Sequence, residues 1–327
     1  MGGRIVGLGS HLPRFLLTNA DLERMVETSD EWIVQRTGIR ERHHLQDGED
    51  PAVMAIEAGR AALARADTSP GDVDLLLVAT TFPDMICPGS APFIAGGLGL
   101  GDAPFLDLKA GCSGFVYGLA LCDALLRCGH PHRILLIGTE ALSRVIDWND
   151  RKTCVLFGDG AGAALLESGD EGEGILGSAL FGDADKAHLL RIPAGGTRTP
   201  TTEDTVAANL HYLKMEGAGV YRSAVAMMES SSRAALTVAG ISLGDVDWVV
   251  PHQANIRIIE SLIRRLGVRR ERVVINLDRV ANTSAASIPI ALDEATRDGR
   301  ILPGHIVLMT AFGAGATYGA VVMRMDA

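Results

Sequence analysis

The chain is short of aromatic residues, which make up 5% of its 327 positions, and it has no basic excess: 30 Lys and Arg stand against 40 Asp and Glu, a formal net charge of -10. A general nucleic-acid binder needs a basic face to recover phosphate binding energy, so that class is excluded as a partner. No apolar run approaches the roughly 20 residues that span a bilayer. The start of the chain enters the strand-like Arg4-Ile5-Val6-Gly7 without a basic segment, an apolar stretch and a small-residue cleavage site. The five cysteines, Cys87, Cys112, Cys122, Cys128 and Cys154, form no CxxC pair and leave an odd one. That usage suits free thiols in a reducing compartment better than a disulfide framework. Together these absences predict a soluble cytoplasmic protein that neither spans a membrane nor binds nucleic acid.

Hydrophobic residues are plentiful at 47%, and 38 glycines are spread through the chain, a mix typical of α/β proteins rich in Ala, Val, Leu and tight turns. The length suits two domains of similar size. A self-match supports that division: the segment from Ser69 to Val78, with Gly71-Asp72-Val73-Asp74, recurs from Ser242 to Pro251, with Gly244-Asp245-Val246-Asp247, an offset of 242 - 69 = 173 residues. Each copy follows an Ala-rich helical stretch (residues 52–66 and 221–239) and ends in a β-branched run that reads as a buried strand. Near the same offset, the strand-like segment from Arg133 to Gly138 is echoed from His305 to Thr310. Helices and strands alternate in both halves, the pattern of α/β layers. The junction is expected near the stretch 169–174, giving halves 1–172 and 173–327, and residues 193–202 read as a surface loop.

Lys109-Ala110-Gly111-Cys112-Ser113-Gly114-Phe115 lies between a strand-like segment (103–108) and a helical run (115–128). Cys112 thus falls at a helix N-terminus, where the macrodipole favours thiolate over thiol and small neighbours leave space for a thioester. The rival reading is a small core residue. His252, in Pro251-His252-Gln253-Ala254-Asn255, follows a predicted strand at the C-terminal end where α/β proteins place ligands; its rival is a hydrogen-bonded structural histidine. Asn282, in Asn282-Thr283-Ser284-Ala285-Ala286-Ser287, reads either as a helix cap or as a site residue. Subtracting the repeat offset from 283 gives 110, so the Asn282 segment occupies in the second half the place of the Cys112 segment in the first. Two related helix starts would face each other, with His252 nearby. Cys, His and Asn form a recognised constellation for nucleophilic catalysis that hydrolases also use. The glycine-rich loops around Gly158 and Gly313 have no dinucleotide or P-loop spacing; the second lets Ala314 present its N–H to an oxyanion.

With these motifs, Arg36-Thr37-Gly38-Ile39-Arg40-Glu41-Arg42 and Phe157-Gly158-Asp159-Gly160-Ala161 among them, the sequence resembles the β-ketoacyl-acyl carrier protein synthase III family along nearly its whole length. The resemblance implies a thiolase-like fold, two duplicated α/β halves in a five-layered αβαβα arrangement, working as a homodimer. It implies Cys112 as acyl-carrying nucleophile, His252 and Asn282 as holders of the malonyl thioester oxygen, and backbone N–H groups of Cys112 and Ala314 as an oxyanion hole beside Phe312. Ala314 stands where the family usually has glycine. For coenzyme A it implies an adenine slot between Trp32 and Arg151, with Thr28, Arg36 and Asn255 along the tunnel; Ala218 and Tyr221 depart from the family there. No metal or redox cofactor is expected, only acyl-CoA and malonyl-acyl carrier protein as substrates. The acidic carrier is expected to meet Arg257, Arg264 and Arg265, on a helix whose apolar residues Ile258, Ile259, Leu262, Ile263 and Leu266 mark a buried face. Ile86 and Cys87 are implied to close the partner's acyl pocket. The expected reaction is a decarboxylative Claisen condensation through an acyl-Cys112 intermediate, initiating fatty acid synthesis. Its rivals are a condensing enzyme of secondary metabolism, a thioester hydrolase and a non-catalytic partner subunit.

Overall fold

In the computed structural model, which describes residues 2–170 and 172–326, the repeated Gly-Asp-Val-Asp segment does the same work twice. Glu171, in the expected junction, lies outside the described residues. Each copy makes a 3-10 turn, Pro70–Asp72 or Leu243–Asp245, and then a strand, Leu75–Ala79 or Trp248–Pro251. The last aspartate of each motif clamps the start of the next long strand: Asp74 Oδ2 accepts from Arg133 N at 2.9 Å and Asp247 Oδ2 from Ile306 N at 2.8 Å. Those strands, Arg133–Glu140 and Ile306–Gly313, pair in parallel with the first ones. Leu75 lies opposite Ile134 and Trp248 opposite Val307, so 248 - 75 and 307 - 134 both return the 173-residue offset. All of Leu75–Ala79 is buried, as a parallel strand covered on both faces must be.

The first sheet has five strands in the order Gly3–His11, Gly160–Ser168, Arg133–Glu140, Leu75–Ala79, Phe105–Leu108. The second has four: Trp248–Pro251, Ile306–Gly313, Thr317–Arg324, Gly174–Gly182. Helices Gly114–Arg127 and Ser287–Arg297 lie between the sheets, where Phe115, Leu119, Ile288 and Leu292 share one core with Leu77, Ile134, Val307 and Met309. On the outer faces, Ala52–Arg65 packs on the first sheet and Gly217–Ala239 on the second. Helix, sheet, helix, sheet, helix is the five-layered arrangement of the thiolase-like fold.

A further core around Leu22, Ile33, Leu142, Cys154 and Phe157 joins residues early in the chain to the stretch after Glu140 and supports Trp32 from beneath. The strand expected over 103–108 starts only at Phe105, because Pro104 has no N–H to give the ladder, although its carbonyl accepts from Leu76 N. Residues 193–202 carry no helix or strand. No helix among the described residues is long and apolar enough to cross a membrane.

Candidate active site

The turn Gly111–Ser113 runs into helix Gly114–Arg127, and Ser284–Ala286 runs into Ser287–Arg297. Both starts of the second pair lie 173 residues after those of the first (284 - 111 and 287 - 114), and the two turns pack against each other between the sheets. Gly111 adopts φ +57, and a Cβ there would lie 2.5 Å from Ala314 N. Only glycine allows that approach, which sets Cys112 beside the Gly313-Ala314 backbone. Ala314 is not among the non-glycine residues with positive φ, so its methyl group is compatible with the backbone and its N–H remains a possible donor. Thr317 Oγ1 donates to Ala110 O at 2.6 Å and Ser113 Oγ donates to Thr317 Oγ1 at 2.7 Å, fixing the turn.

Cys112 is 8% exposed. Burial pushes its thiol up to about 12, a hydrogen bond from Ser284 pulling the other way and the Glu140 carboxyl adding to the rise. Desolvation of the turn and the neighbouring acid favour the thiol, against the thiolate that a helix start favours. His252 is 2% exposed at the end of its strand, and burial lowers its ring to about 3. It is neutral at physiological pH. Its Nδ1 lies 2.7 Å from Ser287 Oγ, which also accepts from Gln253 N at 3.3 Å. Ser287 Oγ keeps a second lone pair as well as its proton, so either ring tautomer satisfies this contact; with the serine proton on Nδ1, the ring carries its own proton on Nε2 and can donate into the cavity. Asn282 is oriented in the same sense, for its Oδ1 accepts from Ser284 N at 2.9 Å and leaves the amide N–H groups to donate. Asn282 is not the helix cap: the cap position of the turn is Thr283 and that of the following helix is Ala286, and Asn282 Oδ1 instead closes a local turn on Ser284 N while the residue lines the cavity.

One cavity of about 450 Å³ is lined by Cys112, His252, Asn282 and Phe312 at its depth and by Arg36, Asn255 and Arg257 further out. The helix Asp30–Thr37 is held against the start of Ile256–Leu266 by Gly38, whose φ is +80 and where a Cβ would meet Ile256 Cβ at 2.7 Å. Asn255 caps the second helix through Arg257 N and donates to Arg36 O at 3.1 Å, so most of its polar capacity serves the junction. Trp32 carries Arg151 5.2 Å and Arg36 5.8 Å from its ring centre, and Arg151 also donates to Glu27 O at 2.8 Å. A purine between Trp32 and Arg151 needs a stacking distance on each face, so the guanidinium must swing aside to admit it. The Thr28 hydroxyl is buried without a protein partner.

Arg264 and Arg265 sit outside the cavity on the same helix as Arg257, Arg265 paired with Glu229 at 3.0 Å. Ile86 is 89% exposed and Cys87 is exposed; neither lines this chain's own cavity. Sequence reasoning missed Glu140, Ser284, Ser287, Thr317 and Arg222, the last at the cavity wall. For Glu140 a signal existed: a lone acid ending the apolar strand Arg133–Glu140, at the end where ligands sit. Among the described residues, no group of three His, Cys, Asp or Glu is placed to hold a metal ion.

The model of the family 3-oxoacyl-[acyl-carrier-protein] synthase III matches residues 106–184, and that of its C-terminal part matches residues 236–325. A β-ketoacyl-[acyl-carrier-protein] synthase III from Caldanaerobacter subterraneus is 48% identical over 320 residues, 98% of this chain and 97% of the relative. The crystal structure of the 3-oxoacyl-[acyl-carrier-protein] synthase III from Aquifex aeolicus superposes with a TM-score of 0.92 at 40% identity, covering 99% of this chain and 100% of that one. The priming β-ketosynthase of the R1128 polyketide pathway superposes with a TM-score of 0.91 at 34% identity, over 99% and 96%. With full-length likeness in sequence and shape, this chain belongs to the 3-oxoacyl-[acyl-carrier-protein] synthase III family.

Proposed function

We propose that this chain joins an acyl-CoA starter to malonyl-acyl carrier protein by decarboxylative Claisen condensation, initiating fatty acid synthesis. The observation that carries the reading is the convergence of Cys112, His252 and Asn282 on one cavity, the last two as neutral donors. In the first stage Cys112 takes the acyl group and CoA leaves; backbone N–H groups of Cys112 and Ala314 hold the oxyanion, beside Phe312. In the second, malonyl-carrier enters and His252 Nε2–H and Asn282 Nδ2–H hold its thioester oxygen. Negative charge gathers there as carbon dioxide departs, and the resulting carbanion attacks acyl-Cys112. The thioesters supply the activation and the carboxylate loss supplies the carbanion, so the chemistry calls for no metal or redox cofactor. A hydrolase would need a ring basic enough to activate water, and burial lowers His252 to about 3.

Thr28, Trp32, Arg36, Arg151 and Asn255 form the coenzyme A path, with Arg36 and Asn255 in the cavity wall. Arg257, Arg264 and Arg265 receive the acidic carrier. The chain acts as a cytoplasmic homodimer of halves divided at 172/173. Strand Phe105–Leu108 ends the first sheet with one edge unpaired and with Phe105 and Leu106 exposed, a surface a second copy would cover. Ile86 and Cys87 would then close the partner's acyl pocket. Incubation with an acyl-CoA and malonyl-acyl carrier protein should yield 3-oxoacyl-carrier by mass spectrometry, with an acyl mass on the Cys112 peptide that Cys112→Ala abolishes. Free acid as the product, or an adduct on Cys87 or Cys154, would overturn the assignment.

A further inference from the structure

We propose that Ser284 and Glu140 form a proton relay for Cys112, Ser284 Oγ passing the thiol proton to the Glu140 carboxylate as the sulfur attacks a thioester. This deepens the condensing-enzyme reading and rests on Cys112 being the acyl carrier. Ser284 Oγ lies 3.3 Å from Cys112 Sγ and 3.1 Å from Glu140 Oε1. One hydroxyl has one proton and cannot donate to both. Toward an ionised Glu140 it turns to the carboxylate, the stronger acceptor, and its lone pair is left to receive S–H. Glu140 is held in place by Thr81 N at 3.0 Å, Phe82 N at 3.3 Å and the Thr80 hydroxyl at 3.4 Å.

Ser284 adopts φ +50, a left-handed conformation that few non-glycine residues take. Its counterpart in the first half, 284 - 173 = 111, is Gly111 at φ +57. A glycine would satisfy the backbone at 284 equally well, so the strained position retains a side chain whose hydroxyl touches the nucleophile. The titratable groups facing this trio are Cys112 and Glu140 themselves and, across the cavity, His252. His252 is unsuited as a base, since burial lowers its ring to about 3 and Nδ1 is bonded to Ser287. Among the described residues, the leading influences on Cys112 and Glu140 are burial, hydrogen bonds and the nearby acid, with no Lys or Arg among them. Ionising the thiol beside a charged Glu140 would bury two anions together; moving the proton between them keeps the number at one. Burial raises Glu140 to about 7, which lets it gain and lose that proton near neutrality.

The step balances over the cycle. In the first stage the Cys112 S–H bond breaks, its proton goes to Ser284 Oγ, and the serine proton goes to Glu140 Oε1. Sulfur attacks the acyl carbonyl, and CoA leaves as a thiolate that takes a proton from water. In the second, the malonyl carboxylate departs as carbon dioxide, the carbanion attacks acyl-Cys112, and the C–S bond breaks. Cys112 thiolate then recovers the proton that Glu140 held, through Ser284. Ser284 touches the reacting sulfur; Glu140 acts through it and is a positioning residue for the proton.

The test is the rate of Cys112 acylation by an acyl-CoA, followed by mass spectrometry across pH, in the wild type, Ser284→Gly and Glu140→Gln, each first checked by thermal melting. The wild-type rate should fall as pH drops through about 7, where Glu140 becomes protonated and cannot accept. Ser284→Gly, whose backbone suits the positive φ, should be slowed about 100-fold and lose that inflection. Glu140→Gln should lose it too, and if that variant does not fold, Ser284→Gly alone decides. A Ser284→Gly enzyme with the wild-type rate and pH profile would overturn the relay while leaving Cys112 as nucleophile. A wild type acylated elsewhere would overturn the nucleophile and the relay together.

Discussion

His252 shows how burial sets chemistry at a single residue. Removed from water, its imidazolium is unstable, so the ring stays neutral well below physiological pH. Asn282, its carbonyl tied to Ser284 N, offers N–H alone. Both are suited to an oxyanion that exists only during decarboxylation. Accordingly His252→Ala and Asn282→Ala should each lose malonyl decarboxylation by about 100-fold or more, the scale of one oxyanion donor, while Cys112 acylation suffers less. Equal loss of both half-reactions would show His252 to be a base for Cys112. Glu140 makes a separate claim on stability. Its pKa rises from 4.5 to about 7 on folding, so between those values the folded state holds a proton the unfolded chain has lost. Stability therefore falls as pH rises through that window. His252, lowered from 6.5 to about 3, acts oppositely and costs stability as pH falls from 6.5. Glu140→Gln removes only the first effect, so relative to wild type it should gain stability between pH 5 and 8, by at most about 3 kcal/mol. Thermal melts at both pH values read this directly: a melting difference that does not move toward the variant would mean the carboxyl is not held neutral.

Among the elements, helix Ile256–Leu266 was the most legible. Its apolar spacing named Ile258, Ile259, Leu262, Ile263 and Leu266, and all five are buried, while Arg257, Arg264 and Arg265 face solvent. What spacing could not reveal was which arginines are already engaged. Arg265 is paired with Glu229, which also holds Arg233, whereas Arg257 lies 5.9 Å over the Tyr221 ring and Arg264 donates to the neutral Ser261 hydroxyl. Arg264→Glu should therefore raise KM for malonyl-acyl carrier protein severalfold and leave acyl-CoA self-acylation nearly unchanged, because rim charges act mainly on encounter, whereas Arg257→Glu, in the cavity wall, should weaken binding of both substrates. Arg265→Ala should change KM for the carrier less. Steady-state kinetics with the carrier varied decides the matter, and an unmoved KM would reduce the arginines to ordinary solvated surface. Asn255 was read as a tunnel residue, and its carbonyl proves to cap this helix. Asparagine serves caps and ligands with the same atoms, so the sequence left the two indistinguishable.

On the scale of the whole molecule, the loop after Leu75–Ala79 leaves Met85 52% and Ile86 89% exposed, apolar surface with nothing of its own chain to cover. A second copy joined along Phe105–Leu108 would receive it. Within that assembly Cys87, small where the family often carries phenylalanine, would leave room at the end of the acyl pocket. Each methylene buried there contributes about 0.8 kcal/mol, so two or three carbons suffice to move preference beyond acetyl. Wild type should accept acyl groups longer than acetyl, and Cys87→Phe should restrict them. The comparison is kcat/KM from acetyl-CoA to octanoyl-CoA; a wild type confined to acetyl, or a variant with an unchanged profile, removes Cys87 from the pocket.

The sequence by itself determined the duplicated α/β plan, because the 173-residue repeat is a local pattern of turn, clamp and strand, and that pattern reappears in the register of both sheets. It also singled out Cys112, His252 and Asn282, each marked by its neighbours in the chain, and the fold brings the three to one cavity. Only the tertiary structure decided the protonation of the site. Whether a cysteine is a thiol, a histidine neutral or a glutamate protonated depends on which groups the fold buries beside it, and Cys112, Glu140 and Ser284 come from strands and turns up to 172 residues apart. Desolvation and hydrogen bonding act through space, and no spacing along the chain records them.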